Sequence, residues 1–210
     1  MAIAKPKMES RVVMFRMDYE IIKRVYKYSI SVGINDEELS FLMGKRNKYF
    51  FELLAPTEKA KLKTEQLDCL PVILGVSIRD LVPNDIRPGE NVTIHSSKRV
   101  SEKKVTYKHY VVFADGNQSG DIIWVKKIVK GYRKKLNEVL HSEMLILIES
   151  GYLDRPRTAL ELYLELKKDS IEFKPVDLRK SLAFLLSRKQ TGPVNLKCEI
   201  VNARFVYYKG

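Results

Sequence analysis

The sequence is poor in residues that hold metals or form cross-links. Its 210 residues include only two cysteines, Cys69 and Cys198, and three histidines. Both cysteines have apolar neighbours, and neither a paired-cysteine spacing nor a histidine cluster indicates zinc. Two such thiols, which we expect to be buried, are typical of a reducing compartment rather than of a disulfide-stabilised secreted fold. The sequence therefore predicts no disulfide, no metal site and no cofactor.

Long apolar runs are also missing. The most apolar window, Met144–Ile148, is far too short to span a bilayer. The first nine residues lack the apolar core and cleavage site of an export signal. We therefore expect a soluble, cytoplasmic protein with no membrane partner.

Recognisable catalytic motifs are absent as well. His95, His109 and His141 share no motif with a nucleophile, and the chain has no glycine-rich phosphate loop or paired-carboxylate signature. Carboxylates from distant segments can converge in a fold, but no pattern here favours an enzyme. Our interpretation is a protein without catalytic activity.

Positive charge is the most informative bulk property that the chain does have. It contains 38 lysines and arginines against 26 acidic residues, a formal net charge of +12, and its 45% hydrophobic content is ample for a core. Basic proteins of this size often bind nucleic acid, because each cation placed near a phosphate releases condensed counterions. A soluble protein with a merely basic surface is the alternative.

The segment from residue 35 to residue 51 carries the most specific pattern. Asn35 and Glu38 have the spacing of a helix N-terminal capping pair, and Gly44 predicts the end of that helix. A second helix is then predicted to open with Lys45-Arg46-Asn47-Lys48. Two short helices at a sharp angle, the second led by donor-rich side chains, can place a helix end in the major groove of DNA.

Flanking motifs extend this pattern over residues 18–82. They are the run Gly33–Ser40, the turn Phe41–Gly44 and the closing run Leu74–Leu81. On these motifs the region resembles the Cro/lambda-repressor-like (XRE) helix-turn-helix family. The resemblance implies a five-helix domain whose third helix contacts DNA, arginine and asparagine reaching base edges and lysines reaching phosphates. The contacting residues implied are Lys45, Arg46, Asn47, Lys48 and Tyr49.

Several residues depart from the family pattern, Asp36 and Pro71 most strongly, while Ser40 replaces a usual alanine and Leu54 and Pro56 shorten the third helix. Asp36 stands where the family often has a glutamine that contacts a phosphate, and a carboxylate there would repel one. Pro71 falls inside the predicted fourth helix and removes a backbone hydrogen bond. The alternative interpretation is a small helical bundle with this scaffold that binds another protein.

The middle of the chain has the alternation of β-strands. Residues 83–90 are rich in turn formers and predict a linker, and strands are predicted in Asn91–His95 and Lys104–Ala114. The aromatic residues here are interleaved with lysines, which could let them stack single-stranded bases. Strands with one core face give the same pattern, and we favour a core role for these aromatic residues: Tyr107, Tyr110, Phe113 and Trp124.

The C-terminal part looks like a winged helix. Three helices are predicted, Leu136–Tyr152, Thr158–Lys168 and Val176–Arg188, followed by a hairpin of Leu196–Val201 and Arg204–Tyr208. The resemblance implies that the third helix enters a DNA groove while the hairpin contacts the backbone. A plain helical core and a dimer interface are the alternatives. The basic residues implied are Arg179, Lys180, Arg188 and Lys189 on or just beyond the helix, with Lys197 and Arg204 on the hairpin.

Together these patterns predict a mainly α fold with some β structure. The predicted domains are a basic arm with the five-helix helix-turn-helix domain (1–82), a linker and strand-containing segment (83–133) and the winged-helix-like unit (134–210). The predicted function is sequence-specific binding of double-stranded DNA by a bacterial or mobile-element transcriptional regulator. We expect a homodimer, since one short recognition helix buries too little surface for strong discrimination. Two alternatives stay open: a protein-interaction or assembly module, and a binder of single-stranded nucleic acid or RNA.

Overall fold

The chain divides into two units that are not contiguous in sequence. The structure is a computed structural model, and it describes residues 8–55, 59–127, 136–168, 172–187 and 196–210. Residues 1–36 and 48–132 form the first unit, and residues 37–47 and 133–210 form the second. The short segment 37–47 therefore belongs with the C-terminal part of the chain.

Helices and strands occur in both units. In chain order, the elements are β1 (Met8–Phe15), α1 (Arg16–Ser31), α2 (Asp36–Leu42), α3 (Tyr49–Leu54), α4 (Thr64–Leu67), α5 (Leu70–Leu74), α6 (Ile78–Leu81), β2 (Asn91–Val100), β3 (Lys104–Val112), β4 (Ile122–Lys127), α7 (Glu138–Glu149), β5 (Arg157–Thr158), α8 (Ala159–Lys168), α9 (Pro175–Leu185), β6 (Leu196–Val201) and β7 (Arg204–Lys209).

A four-stranded antiparallel sheet forms the framework of the first unit, with strand order β1-β2-β3-β4. Successive side chains alternate between its two faces, so Val92 and Ile94 are buried while Thr93 and His95 lie on the opposite face. Helix α1 covers the buried face. There, Tyr19 stacks on Trp124 of β4 with ring centroids 6.2 Å apart. We call the opposite face of this sheet the outer face.

Helix α1 follows from its apolar spacing. Tyr19, Ile22 and Val25 are buried on one side, and each such side chain contributes roughly 1.5–3 kcal/mol through removal from water. The Tyr26 hydroxyl accepts a hydrogen bond of 3.1 Å from the Val125 amide, which satisfies a donor on the edge strand β4. The helix ends at Ser31, and Gly33 takes the left-handed conformation (φ +73°) that turns the chain.

The second unit combines helices α7, α8 and α9 with a three-stranded antiparallel sheet of order β5-β7-β6. Side-chain caps fix two helix starts: Asn137 Oδ1 accepts from the Leu140 amide at 3.2 Å, and Thr158 and Glu161 cap each other's amides. Helices α7 and α9 pack together, and His141 Nδ1 lies 2.8 Å from Ser181 Oγ. The core between these helices is formed by Leu140, Met144, Ile148, Leu162, Leu178, Leu182 and Leu185.

The predicted fold class is wrong. The protein is a mixed α/β chain with seven strands in two antiparallel sheets in its described residues, and the predicted five-helix N-terminal domain is not formed. Strand β1 pairs with β2, Val13 lying opposite Thr93, and α2 after its first residue belongs to the second unit. The sequence predicts a basic arm or a short strand at Val12–Phe15 for this segment. Periodicity within a strand does not show which distant strand it pairs with, so the pairing with β2 could not be predicted.

Three further predictions concern the burial of the cysteines, membrane-spanning helices and the domain boundaries. Cys69 is buried as expected, but Cys198 lies exposed on the short strand β6, so its predicted burial is wrong. None of the helices in the described ranges has the length and apolarity needed to cross a bilayer. The predicted domain boundaries concern which segments fold independently, and they stay a prediction.

Candidate nucleic-acid interface

The turn after α2 is built by Gly44. Its φ of +68° is left-handed, its amide donates to Phe41 O at 2.9 Å, and the Lys45 amide donates to Ser40 O at 2.9 Å. These two bonds form a helix C-cap that reverses the chain direction. The predicted helix end at Gly44 is confirmed, since α2 ends at Leu42.

The hairpin of β6 and β7 has a two-residue turn, Asn202-Ala203. Both residues have positive φ, 49° and 58°, as the right-handed twist of a tight hairpin requires. Asparagine tolerates this region well, whereas alanine is strained there. The turn therefore fixes the backbone conformation at the end of the hairpin, next to Arg204.

The turn after α2 and the hairpin are joined within the second unit. The Phe205 amide donates to Gly44 O at 2.8 Å, and Lys45 Nζ donates to the Ala203 carbonyl. The approach is close: a Cβ added to Gly44 would lie 3.0 Å from Arg204 Cβ. Two segments far apart in sequence are thereby held side by side.

Basic side chains concentrate at this junction. We call Lys45, Arg46 and Arg204 the hairpin cluster. Arg46 and the adjacent Asn47 are exposed, and Lys45 and Arg204 are half-buried. Across segments 43–47 and 196–209, the only acidic residue is Glu199, against five basic residues: Lys45, Arg46, Lys197, Arg204 and Lys209. The junction thus presents an excess of positive charge, as binding to phosphates requires.

The predicted basic residues of α9 are engaged in ion pairs. Arg179 lies 3.2 Å from Glu37 of α2, and Lys180 lies 3.6 Å from Asp177 one turn earlier in α9. These pairs partly neutralise the charge that the predicted groove-reading helix would present. Arg188 and Lys189 lie outside the described residues.

Lys48 and Tyr49 belong to the first unit. The structure has turns where a helix was expected to open at Lys45, and α3 begins only at Tyr49 and is six residues long. Tyr49 is half-buried, its hydroxyl donates to Gln66 Oε1 at 3.2 Å, and burial raises its pKa. The predicted row of five contact residues on one helix is therefore split between a turn and a short helix.

The middle-segment aromatic residues divide between the two faces of the sheet. Tyr107 and Trp124 are buried, which confirms the favoured core role for these two. Tyr110 is three residues after Tyr107 and therefore lies on the outer face, where its ring stacks on His95 with centroids 4.9 Å apart. The odd spacing of Tyr107 and Tyr110 indicates from sequence alone that they lie on opposite faces of a strand. Which of the two lies on the outer face is known only from the strand pairing.

Metal binding and similarity to known proteins give no further assignment. The described part of the chain contains no group of three or more histidine, cysteine, aspartate or glutamate side chains placed to hold a metal ion. The XRE and winged-helix resemblances stay predictions from sequence motifs. No family model, curated protein or solved structure matches the chain.

Proposed function

We propose that the protein binds double-stranded DNA through the hairpin cluster of its second unit. The observation that carries this proposal is the junction between the turn after α2 and the hairpin, which gathers Lys45, Arg46 and Arg204 in one place. The net charge of +12 supplies a long-range attraction to a polyanion.

The junction supports this function because its backbone is fixed before any ligand arrives. The hydrogen bond between Phe205 and Gly44 and the tight turn at Ala203 fix the backbone positions from which the cationic side chains extend. Less conformational freedom is then lost when these side chains contact phosphates. We assign phosphate contacts to Arg46 and Arg204, and contacts with base edges to Asn47, whose exposed side-chain amide carries the donor and acceptor that such contacts use. A role in transcriptional regulation rests on that sequence discrimination.

The test is a fluorescence-anisotropy titration of a labelled random duplex between about 50 and about 200 mM salt. The variant is Arg46→Gln with Arg204→Gln. The logarithm of its binding constant should fall less steeply with the logarithm of the salt concentration, the slope changing by about 2, since roughly 0.9 counterions are released per phosphate contact. Arg155→Gln, an exposed arginine of the same unit outside the cluster, is the matched control and should keep the wild-type slope.

If the salt dependence of binding has the same slope in the double variant and in the control, the hairpin cluster does not contact the DNA. Sequence discrimination has its own test, which is selection of bound duplexes from a random pool followed by sequencing. An enriched motif that disappears with Asn47→Ala supports base reading. A pool that stays random limits the proposal to binding of the phosphate backbone.

A further inference from the structure

We propose that the outer face of the four-stranded sheet in the first unit binds single-stranded nucleic acid, stacking a base at His95 and Tyr110. This site is separate from the hairpin cluster and does not depend on it. On this face Val13, Lys108 and Ile123 are exposed, and helix α1 lies on the opposite, buried face.

The aromatic platform is formed across two neighbouring strands. His95 of β2 and Tyr110 of β3 are directly paired in the sheet, and their rings are parallel to within 5° at a centroid distance of 4.9 Å. Both side chains are only half-buried. A base has a π face on each side, so it can extend such a stack regardless of its identity.

Cations lie in the row of this platform and in the rows toward one end of the strands, where Glu9 is also paired with Ser97. Arg11 of β1 is paired with His95, which places it in the same cross-strand row as the two rings. Lys108 occupies the next row of the outer face, and Arg99 and Lys104 lie exposed further along it. Successive rows are two residues apart, roughly 6.7 Å along the strands. The face can therefore contact the phosphates of a strand that runs from the platform toward Lys108 and Arg99.

A hollow of about 480 Å³ lies at the platform. Its lining includes Arg11, His95, Lys108 and Tyr110, together with the Asp121 carboxylate. Asp121 lies 2.7 Å from Lys108 Nζ, but both side chains are more than half exposed. An exposed pair of this kind is weak, so Lys108 can exchange the carboxylate for a phosphate. Arg11 and Lys108 supply the positive charge, and the rings supply the stacking surface.

The face favours a single strand over a duplex because stacking on the rings requires an unpaired base. In a duplex each base is already stacked between its neighbours, and its faces are closed to the protein. The exposed apolar residues of the same face, Val13 and Ile123, also suit the flat faces of unstacked bases better than a phosphate backbone.

The experiment measures binding of labelled short oligo-dT and oligo-rU to the full chain. Tyr110→Leu removes the ring and should weaken binding by roughly fivefold or more, the size expected for loss of one base–aromatic stack. Tyr110→Phe keeps the ring and should bind as the wild type does. Tyr208→Leu, which removes a half-buried tyrosine in the other unit, is the matched control and should leave binding unchanged.

Two further points are tested in parallel: the contribution of the positive charge on the face, and the preference of the face for DNA or RNA. Arg11→Gln should weaken binding to both oligomers and reduce its salt dependence. Tighter binding of one oligomer identifies which of the two strands the face prefers and supports the proposal either way. Thermal melting of each variant checks that the fold is intact, and Tyr110→Phe remains informative if Tyr110→Leu melts early, because its binding must match the wild type.

Three results would overturn the proposal. The first is equal binding by Tyr110→Leu and wild type, and the second is weak binding by Tyr110→Phe. The third is loss of self-association instead of oligonucleotide binding in Tyr110→Leu, which would make the face an interface between copies of the chain. The proposal is independent of duplex binding, because the variant Arg46→Gln with Arg204→Gln should bind oligo-dT and oligo-rU normally.

Discussion

His109 is a buried titratable residue in the core of the first unit. Its Nε2 lies 3.0 Å from the Tyr19 hydroxyl and its ring packs against Trp124, while Nδ1 has no hydrogen-bond partner among the described residues. Burial, and to a lesser extent the charge of Lys23, lower the pKa of His109 from 6.5 to about 4. The imidazole is therefore neutral in the folded protein at neutral pH.

This pKa predicts a loss of stability in mildly acidic solution. Below pH 6.5 the unfolded chain binds a proton at this histidine that the folded chain does not accept until about pH 4. The free energy of unfolding should therefore fall as the pH drops through that window. His109→Gln should flatten the dependence in urea denaturation, although not fully, because burial also lowers the pKa of His141. An unchanged pH dependence in His109→Gln would contradict this prediction.

Gly44 is the residue on which the junction depends most directly. Gly44→Ala should lower the free energy of unfolding by about 1–2 kcal/mol for the left-handed backbone alone, and by more because the new Cβ would meet the backbone and Cβ of the hairpin. Gly151→Ala is the matched control in the same unit. It has the same backbone cost, but its Cβ would meet only the carboxylate of Asp154, which can move. Equal losses in urea denaturation would show that the hairpin does not press against Gly44.

The hairpin turn is an element that carries strain. Ala203→Gly should relieve the left-handed cost and raise the free energy of unfolding by about 0.5–1 kcal/mol after allowing for the more flexible unfolded chain. Duplex affinity should stay the same, because the carbonyl that accepts from Lys45 belongs to the backbone. Asn202→Ala should do the opposite and lower stability. A melting temperature that falls in Ala203→Gly would contradict this.

Elements with strong local signals could be predicted from the sequence. Helix α2 lies where the capping pair and Gly44 place it, and β6 and β7 lie where their apolar residues and turn place them. Strand β5 has only two residues and no periodicity to read. In strand β4, Trp124 is buried on the inner face while Ile123 and Val125 remain exposed on the outer face.

The candidate site could be predicted only in pieces. Lys45 and Arg204 were both expected to bind DNA, but in two different domains. Lys45 and Arg204 lie close together because the apolar side of α2 packs within the C-terminal unit. No local sequence pattern predicts that packing partner. Leu39 and Met43 are fully buried, as apolar spacing predicts, but that spacing does not show which elements they pack against.

Contacts within the first unit predict how the whole molecule responds to cleavage. Strand β1 pairs with β2 along its whole length, and these strands lie on opposite sides of residues 83–90. A chain cut by a protease at a site engineered into 85–88 should therefore elute as one species in gel filtration and separate only in denaturant. The uncut variant is the control. Separation under native conditions would instead support residues 1–82 as a domain that folds by itself.

The division of the chain also constrains the order in which a ribosome can complete it. The segment 37–47 emerges early, but the rest of its unit begins at residue 133. At roughly 5–20 residues per second, the apolar side chains of α2 wait several seconds or longer for their partners to be synthesised. The apolar side chains of α2 therefore stay without their folded-state partners in the nascent chain until the C-terminal part of the unit has been synthesised.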